Sequence, residues 1–193
     1  SYSLLNWEQD WLFDEALVGE GAGRNYGVEA TLERYFRGGY YYLVTGSVFT
    51  SRYRGGDGVW RRTRYDQGYA ANGLFGKEFA FGSRNHLLGV NGRLVAMGGR
   101  RRSPIDEAAS LAQEEVVFDE RRAFDEREPG VFLFDLTLTY RLNRRRFAET
   151  WALQVKNVFG AKDTYLDYNF RTDRVERVEE GYPVPVLSYK IEF

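Results

Sequence analysis

Apolar and polar residues alternate along most of this chain with the period of two that marks β-strands carrying two different faces. The clearest run spans residues 130–142. There Phe132, Phe134, Leu136, Leu138 and Tyr140 fall on one face, and Asp135, Thr137, Thr139 and Arg141 on the other. The last stretch repeats the pattern, with Leu187, Tyr189, Ile191 and Phe193 opposite Ser188, Lys190 and Glu192. The same reading predicts strands over residues 1–7, 25–36, 40–54, 65–81, 87–97 and 147–159, about eight in all. Pro183 and Pro185 stand at the start of the last strand and donate no ladder hydrogen bond, so its beginning is expected to be loosely paired or beyond the sheet.

The connections alternate as regularly as the side chains. Short ones are predicted at 37–39, where Gly38 and Gly39 suit a tight hairpin, at 82–85 and at 143–146. Long ones are predicted at 8–23, 55–64, 98–128 and 160–181. Every long loop therefore emerges at one end of an up-and-down antiparallel meander. A structureless stretch of thirty residues counts against a compact soluble domain. It is the ordinary form of a transmembrane β-barrel, with short periplasmic turns and long extracellular loops. Period two alone does not say which face is inside. The rings Tyr40, Tyr42, Phe79, Phe81, Tyr140, Phe147, Tyr189 and Phe193 gather near the short-turn end, as an interfacial aromatic girdle would. The expected fold is thus an all-β wall of an outer-membrane barrel. Two rivals stay open: a self-contained eight-stranded structural or adhesion barrel, and a soluble lipocalin-like ligand-binding barrel with its faces inverted.

Composition narrows the chemistry. The 193 residues carry 28 acidic and 27 basic side chains, so no net field favours nucleic acid. Aromatics make up 17%, with 14 tyrosines, a profile that suits strands with exposed rings. Cysteine is absent, which removes disulfides, thiolate metal sites and cysteine nucleophiles. The opening Ser1-Tyr2-Ser3-Leu4 has neither an initiator Met nor a signal segment, and the expectation is a piece of something longer.

Candidate sites are few. The one histidine, His86, stands beside a short turn, and a surface turn residue is the favoured reading over a metal or triad role. No nucleophile–base set is apparent, so no enzyme is expected, and no cofactor or metal is assigned. The acidic residues of 106–126 are interleaved with arginines and read as a mutually paired loop rather than a calcium site. Ser103-Pro104-Ile105-Asp106-Glu107 has the pattern of a helix start, with Ser103 as cap, and predicts a short helix to Gln113. Gly55-Gly56-Asp57-Gly58 reads as a hairpin loop. Arg61, Arg62, Arg64, Arg100, Arg101 and Arg102 lie at the long-loop end, and Arg100–Arg102 are the candidate contacts for an anionic ligand or lipopolysaccharide phosphates.

Val155-Lys156-Asn157-Val158-Phe159-Gly160, a polar loop and a final strand ending Tyr189-Lys190-Ile191-Glu192-Phe193 together resemble the C-terminal end of a TonB-dependent outer-membrane receptor. Asn25-Tyr26-Gly27-Val28-Glu29 and the run from Gly99 to Asp106 are similar to further strand and loop openings of that family. The resemblance covers nearly the whole chain. It implies part of a 22-stranded barrel with a plug, importing a scarce nutrient such as an iron chelate, cobalamin or a glycan. It also implies a TonB-type energy-coupling protein, the plug, outer-membrane lipid and the barrel-assembly machinery as partners, and the Gram-negative outer membrane as location. Tyr189, Ile191 and Phe193 would serve as the barrel-assembly signal. No stretch matches a plug or an energy-coupling box.

Overall fold

The computed structural model describes residues 19–82 and 85–193. The strand predicted at 1–7, and most of the loop after it, lie outside these residues. The described residues build an antiparallel sheet of consecutive neighbours. Its strands are β1 (Ala22–Arg37), β2 (Tyr40–Arg54), β4 (Tyr69–Phe81), β5 (His86–Met97), β8 (Val131–Asn143), β9 (Ala148–Lys156) and β12 (Val184–Glu192), in that order across the sheet. A three-residue strand, β3 (Trp60–Arg62), pairs with the far end of β2 as an eighth member. The sheet is open: among the described residues β1 pairs only with β2, and β12 only with β9.

The alternation in sequence is what forces this order. A one-residue slip would move every apolar side chain to the other face. The ladders keep the faces in phase, from Val28↔Val48 through Leu94↔Phe134 and Leu138↔Leu153 to Leu187↔Leu153, with a register shift between Arg34 and Arg37 beside the first turn. One continuous apolar face results, and the opposite face carries Glu29, Asn91, Arg93, Asp135, Arg141 and Lys156. The tight turn at Gly38-Gly39 works because both glycines adopt positive φ, 69° and 82°, which a hairpin of right-handed twist requires.

Pro183 precedes the last ladder, but Pro185 pairs opposite Val155 inside it. The sheet tolerates a proline there because, among the described residues, β12 has a neighbour on one side only.

Three predicted features differ from the structure. Residues 65–68 do not belong to β4; the chain breaks out of the sheet between β3 and β4, turning at Gly68 with φ 85°. The loop at 160–181 is a two-stranded hairpin, β10 (Asp163–Asn169) with β11 (Arg174–Glu180). The helix α1 (Glu107–Gln113) ends where expected but starts later, capped by Asp106, whose carboxylate accepts from the Ala109 N–H at 2.9 Å. Ser103 is not the cap. Ile105 bridges to Phe118, and the buried Ser103 hydroxyl accepts from the Phe124 N–H across the loop at 3.3 Å. The loop also holds a short pair, β6 (Arg101–Arg102) with β7 (Glu126–Arg127).

Little of this chain is buried. Among the described residues the enclosed apolar side chains are Tyr53, Ala123, Phe124, Ala148 and Tyr168. A sheet in water packs its apolar face on a second layer. Here Val28 is 78% exposed, Val48 68%, and Phe75 and Phe79 about half. Apart from Phe159, which stacks on Phe134 at the loop end, the cover seen among the described residues lies on the opposite face, where Phe124 meets Tyr53 edge-on with ring centroids 6.3 Å apart.

Candidate functional site

The long-loop end of the sheet is built around Asp66. It sits in the break between β3 and β4, fully excluded from solvent. The Ser51 N–H donates to one carboxylate oxygen at 2.8 Å. Arg62 and Arg101 donate to the other, at 2.6 and 3.2 Å, and Arg127 donates to the Asp66 backbone carbonyl at 3.1 Å. Burial alone would raise the pKa of this carboxyl. Donation from Arg62 and from the Ser51 N–H outweighs that and holds it below the ordinary aspartate range. Asp66 thereby fastens strands β6 and β7 of the long loop to the broken edge of β2.

Two glycines make that approach possible. A Cβ on Gly98 would run into the Gln67 carbonyl, and one on Gly99 into the Glu128 carbonyl. Only glycine lets the chain leave β5 between these backbones.

A cleft of about 500 Å³ opens beside this junction. Arg64, Arg100, Glu128 and Lys162 supply charge at its wall, and Met97, Val131 and Leu133 supply an apolar floor. Those three floor residues share the face of Arg93 and Asp135, so the cleft belongs to the polar face. Its far wall is the start of β10.

The predicted triplet Arg100–Arg102 divides by role. Arg101 is spent on Asp66, and Arg102 on Glu126 at 3.0 Å. Arg100 is exposed, with no ion pair among the described residues. Arg64 is exposed too and likewise without an ion pair among them, while Arg61 pairs with Asp57 at 2.6 Å and Arg62 with Asp66. The two arginines at the cleft without an ion pair among the described residues are Arg64 and Arg100, brought together by the hydrogen bond from the Arg101 N–H to the Arg64 carbonyl, 3.1 Å.

The acidic loop pairs partly within itself, through Glu126 with Arg102 and Asp125 with Arg122 at 3.5 Å. Asp106 and Asp119 instead cap short helical turns. His86 lies on the apolar face, accepting or donating at 2.7 Å with the Tyr140 hydroxyl and stacked on Phe81. Gly55–Gly58 is the hairpin loop between β2 and β3.

Of the terminal residues, Tyr189 packs its ring 4.4 Å from Trp151 on the apolar face. Ile191 follows opposite Glu149, and Phe193, almost wholly exposed, lies 6.5 Å from Phe147. The segment 157–160 ends β9 by its own geometry. Asn157 turns left-handed with φ 51°, its side-chain amide both donates to and accepts from Ala161 at 2.8 Å, and Phe159 stacks on Phe134.

Asp66, Arg127 and the β10–β11 hairpin are not evident in the sequence. Asp66-Gln67-Gly68 carries a turn signal inside a predicted strand, and that is the sole pointer. Compared with models of known protein families, with curated proteins and with solved structures, the chain matches none.

Proposed function

We propose that this chain is part of the wall of an energy-coupled outer-membrane receptor that imports a scarce nutrient. The observation that carries the reading is the sheet's two-faced register. An apolar face spans seven strands with almost no second layer over it among the described residues, while the polar face carries the cleft and the mid-strand charges Glu29, Arg93 and Asp135. Strands β4 and β8 have thirteen residues and β9 and β12 nine, enough at about 9–11 residues per tilted crossing for a bilayer wall. The six predicted girdle rings that lie inside ladders all fall on the apolar face near the short turns. Phe132, Phe134 and Phe159 form a matching cluster towards the loop end.

The charges that do fall on this face sit towards its two edges, Arg34 and Lys77 by the short turns and Arg24, Arg52 and Arg54 at the loop end. Arg34 lies over the Tyr40 ring at 4.1 Å, and Lys77 reaches Phe79 at 5.4 Å, the posture of long cations snorkelling to an interface. In this reading the cleft with Arg64 and Arg100 stands at the extracellular mouth of the lumen, where an anionic nutrient complex would first be held. The lumen would enclose a plug, and a TonB-type protein would supply the energy.

The chain has no cysteine, so single cysteines report cleanly. In outer membranes, Leu138→Cys should resist a membrane-impermeant maleimide and quench with lipid-borne nitroxide. Thr137→Cys, its neighbour on the other face, should do the reverse. The opposite labelling pattern, with the protein in the soluble fraction, would replace this reading by a lipocalin-like barrel with the apolar face inside.

A further inference from the structure

Beyond the cleft, the outward face carries a second basic cluster that the sequence does not single out. The registers Arg24↔Arg52 and Ala22↔Arg54↔Trp60 put Arg24, Arg52, Arg54 and Trp60 on the same face as Tyr26, Val28 and Val48. They stand at its loop-end edge, one or two rows above the apolar band. The Arg24 and Arg54 guanidiniums both lie over the Trp60 ring, at 4.1 and 5.6 Å. Among the described residues neither these nor Arg52 meets a carboxylate within ion-pair distance. Three like charges gathered with no carboxylate in reach among the described residues repel one another, and an anion between them would turn that cost into binding energy.

Resting on the membrane reading above, we infer that this cluster binds the phosphate of a membrane lipid in the leaflet at the long-loop end. The guanidiniums would take the headgroup phosphate through paired N–H donors, as their planar fork allows. Tyr26 and Val48 directly below would receive the start of the acyl chains, both being more than half exposed. Trp60, amphipathic and at the boundary, holds two of the arginines in place. The site differs from the cleft in facing away from it, since Met97 and Leu133 belong to the polar face.

The test uses the full-length protein reconstituted in phosphatidylcholine vesicles, titrated with a lipid bearing a phosphate monoester. Tryptophan quenching by a brominated form of that lipid, subtracted against Trp60→Phe, reads occupancy at the cluster. An R24Q/R52Q/R54Q variant should bind at least about tenfold more weakly. R52Q alone, which leaves the Trp60 stack intact, should lose several-fold. Unchanged binding in both variants would overturn the inference while leaving the barrel reading standing. So would displacement of the lipid by millimolar inorganic phosphate, because the site would then serve a soluble anion. A protein that never enters the vesicles would sink the membrane reading, and this inference with it.

Discussion

At the scale of single residues, Asp66 has the most to say. Arg62, four positions away, is its one local partner; Ser51 and Arg101, 15 and 35 positions away, complete it, so the local turn signal could mark the bend but not the role. Asp66→Asn would leave Arg62 and Arg101 facing an acceptor that has lost its charge, and breaking a buried pair from one side costs about 3 kcal/mol. The loss should appear as faster hydrogen exchange and protease cleavage within residues 98–128, with the sheet still assembled. Acid should do the same. The folded carboxyl titrates below its unfolded value of about 3.9, so its contribution is complete above that pH and is lost as pH falls below it. Protection of that loop, corrected for the intrinsic pH dependence of amide exchange, staying flat from pH 6 down to pH 2 would refute the account.

Ser103 teaches the complementary lesson. Ser-Pro followed by acids satisfies the rules for a helix start, and so does Asp106 one turn later. The chain takes the second because Ile105 is claimed by Phe118 and the Ser103 hydroxyl by the Phe124 N–H. Local rules identify that a helix begins here; tertiary contacts decide where.

At the scale of elements, strands are legible wherever one face is uniformly apolar. The run 40–54 coincides with β2, and 130–142 with β8 to within a residue at each end. The β10–β11 hairpin escapes because it lies outside the wall, so neither of its faces is uniformly apolar. Arg174-Val175-Glu176-Arg177-Val178-Glu179-Glu180 offers two apolar positions among five charges, and they fall on opposite faces. Packing within the wall is tighter than its exposure suggests. Gly92 lies under the Phe75 ring, itself stacked at 6.3 Å on Phe134, so that an added Cβ would collide with it. Gly92→Val should therefore cost about 1–3 kcal/mol through displacement of that ring. Gly46→Val, on the same face with nothing within 4 Å of its Cβ, is the control and should be tolerated. Urea midpoints of folded protein in detergent would compare them, and equal losses would mean that β-propensity rather than the ring decides.

At the scale of the whole molecule, the division between faces is readable in the sequence but their sense is not, since an alternating strand looks alike from inside and outside. What bears on it physically is the near absence, among the described residues, of a second layer over Val28, Val48 and Phe79, together with a loop folded over the other face at Tyr53. Under the proposed function the cleft makes its own prediction. Replacing both Arg64 and Arg100 by alanine should weaken capture of an anionic nutrient complex about tenfold, without changing the amount of barrel in the membrane. Uptake unaltered in that double variant would remove these arginines from the ligand's path. Arg101 and Arg102 are unsuitable for the same experiment, because each already holds the loop to a carboxylate.

The open edges carry a constraint of arithmetic. Each short turn and each long loop reverses the chain, so neighbouring wall strands run in opposite senses, and β1 and β12, six reversals apart, run the same way. Joined directly they would make a parallel seam, which an all-antiparallel cylinder does not contain. Any set of strands that completes such a cylinder must therefore be odd in number, whether it closes a ring of eight or one of twenty-two. The same count governs engineering of the wall: whole hairpins can be added or removed, and single strands cannot.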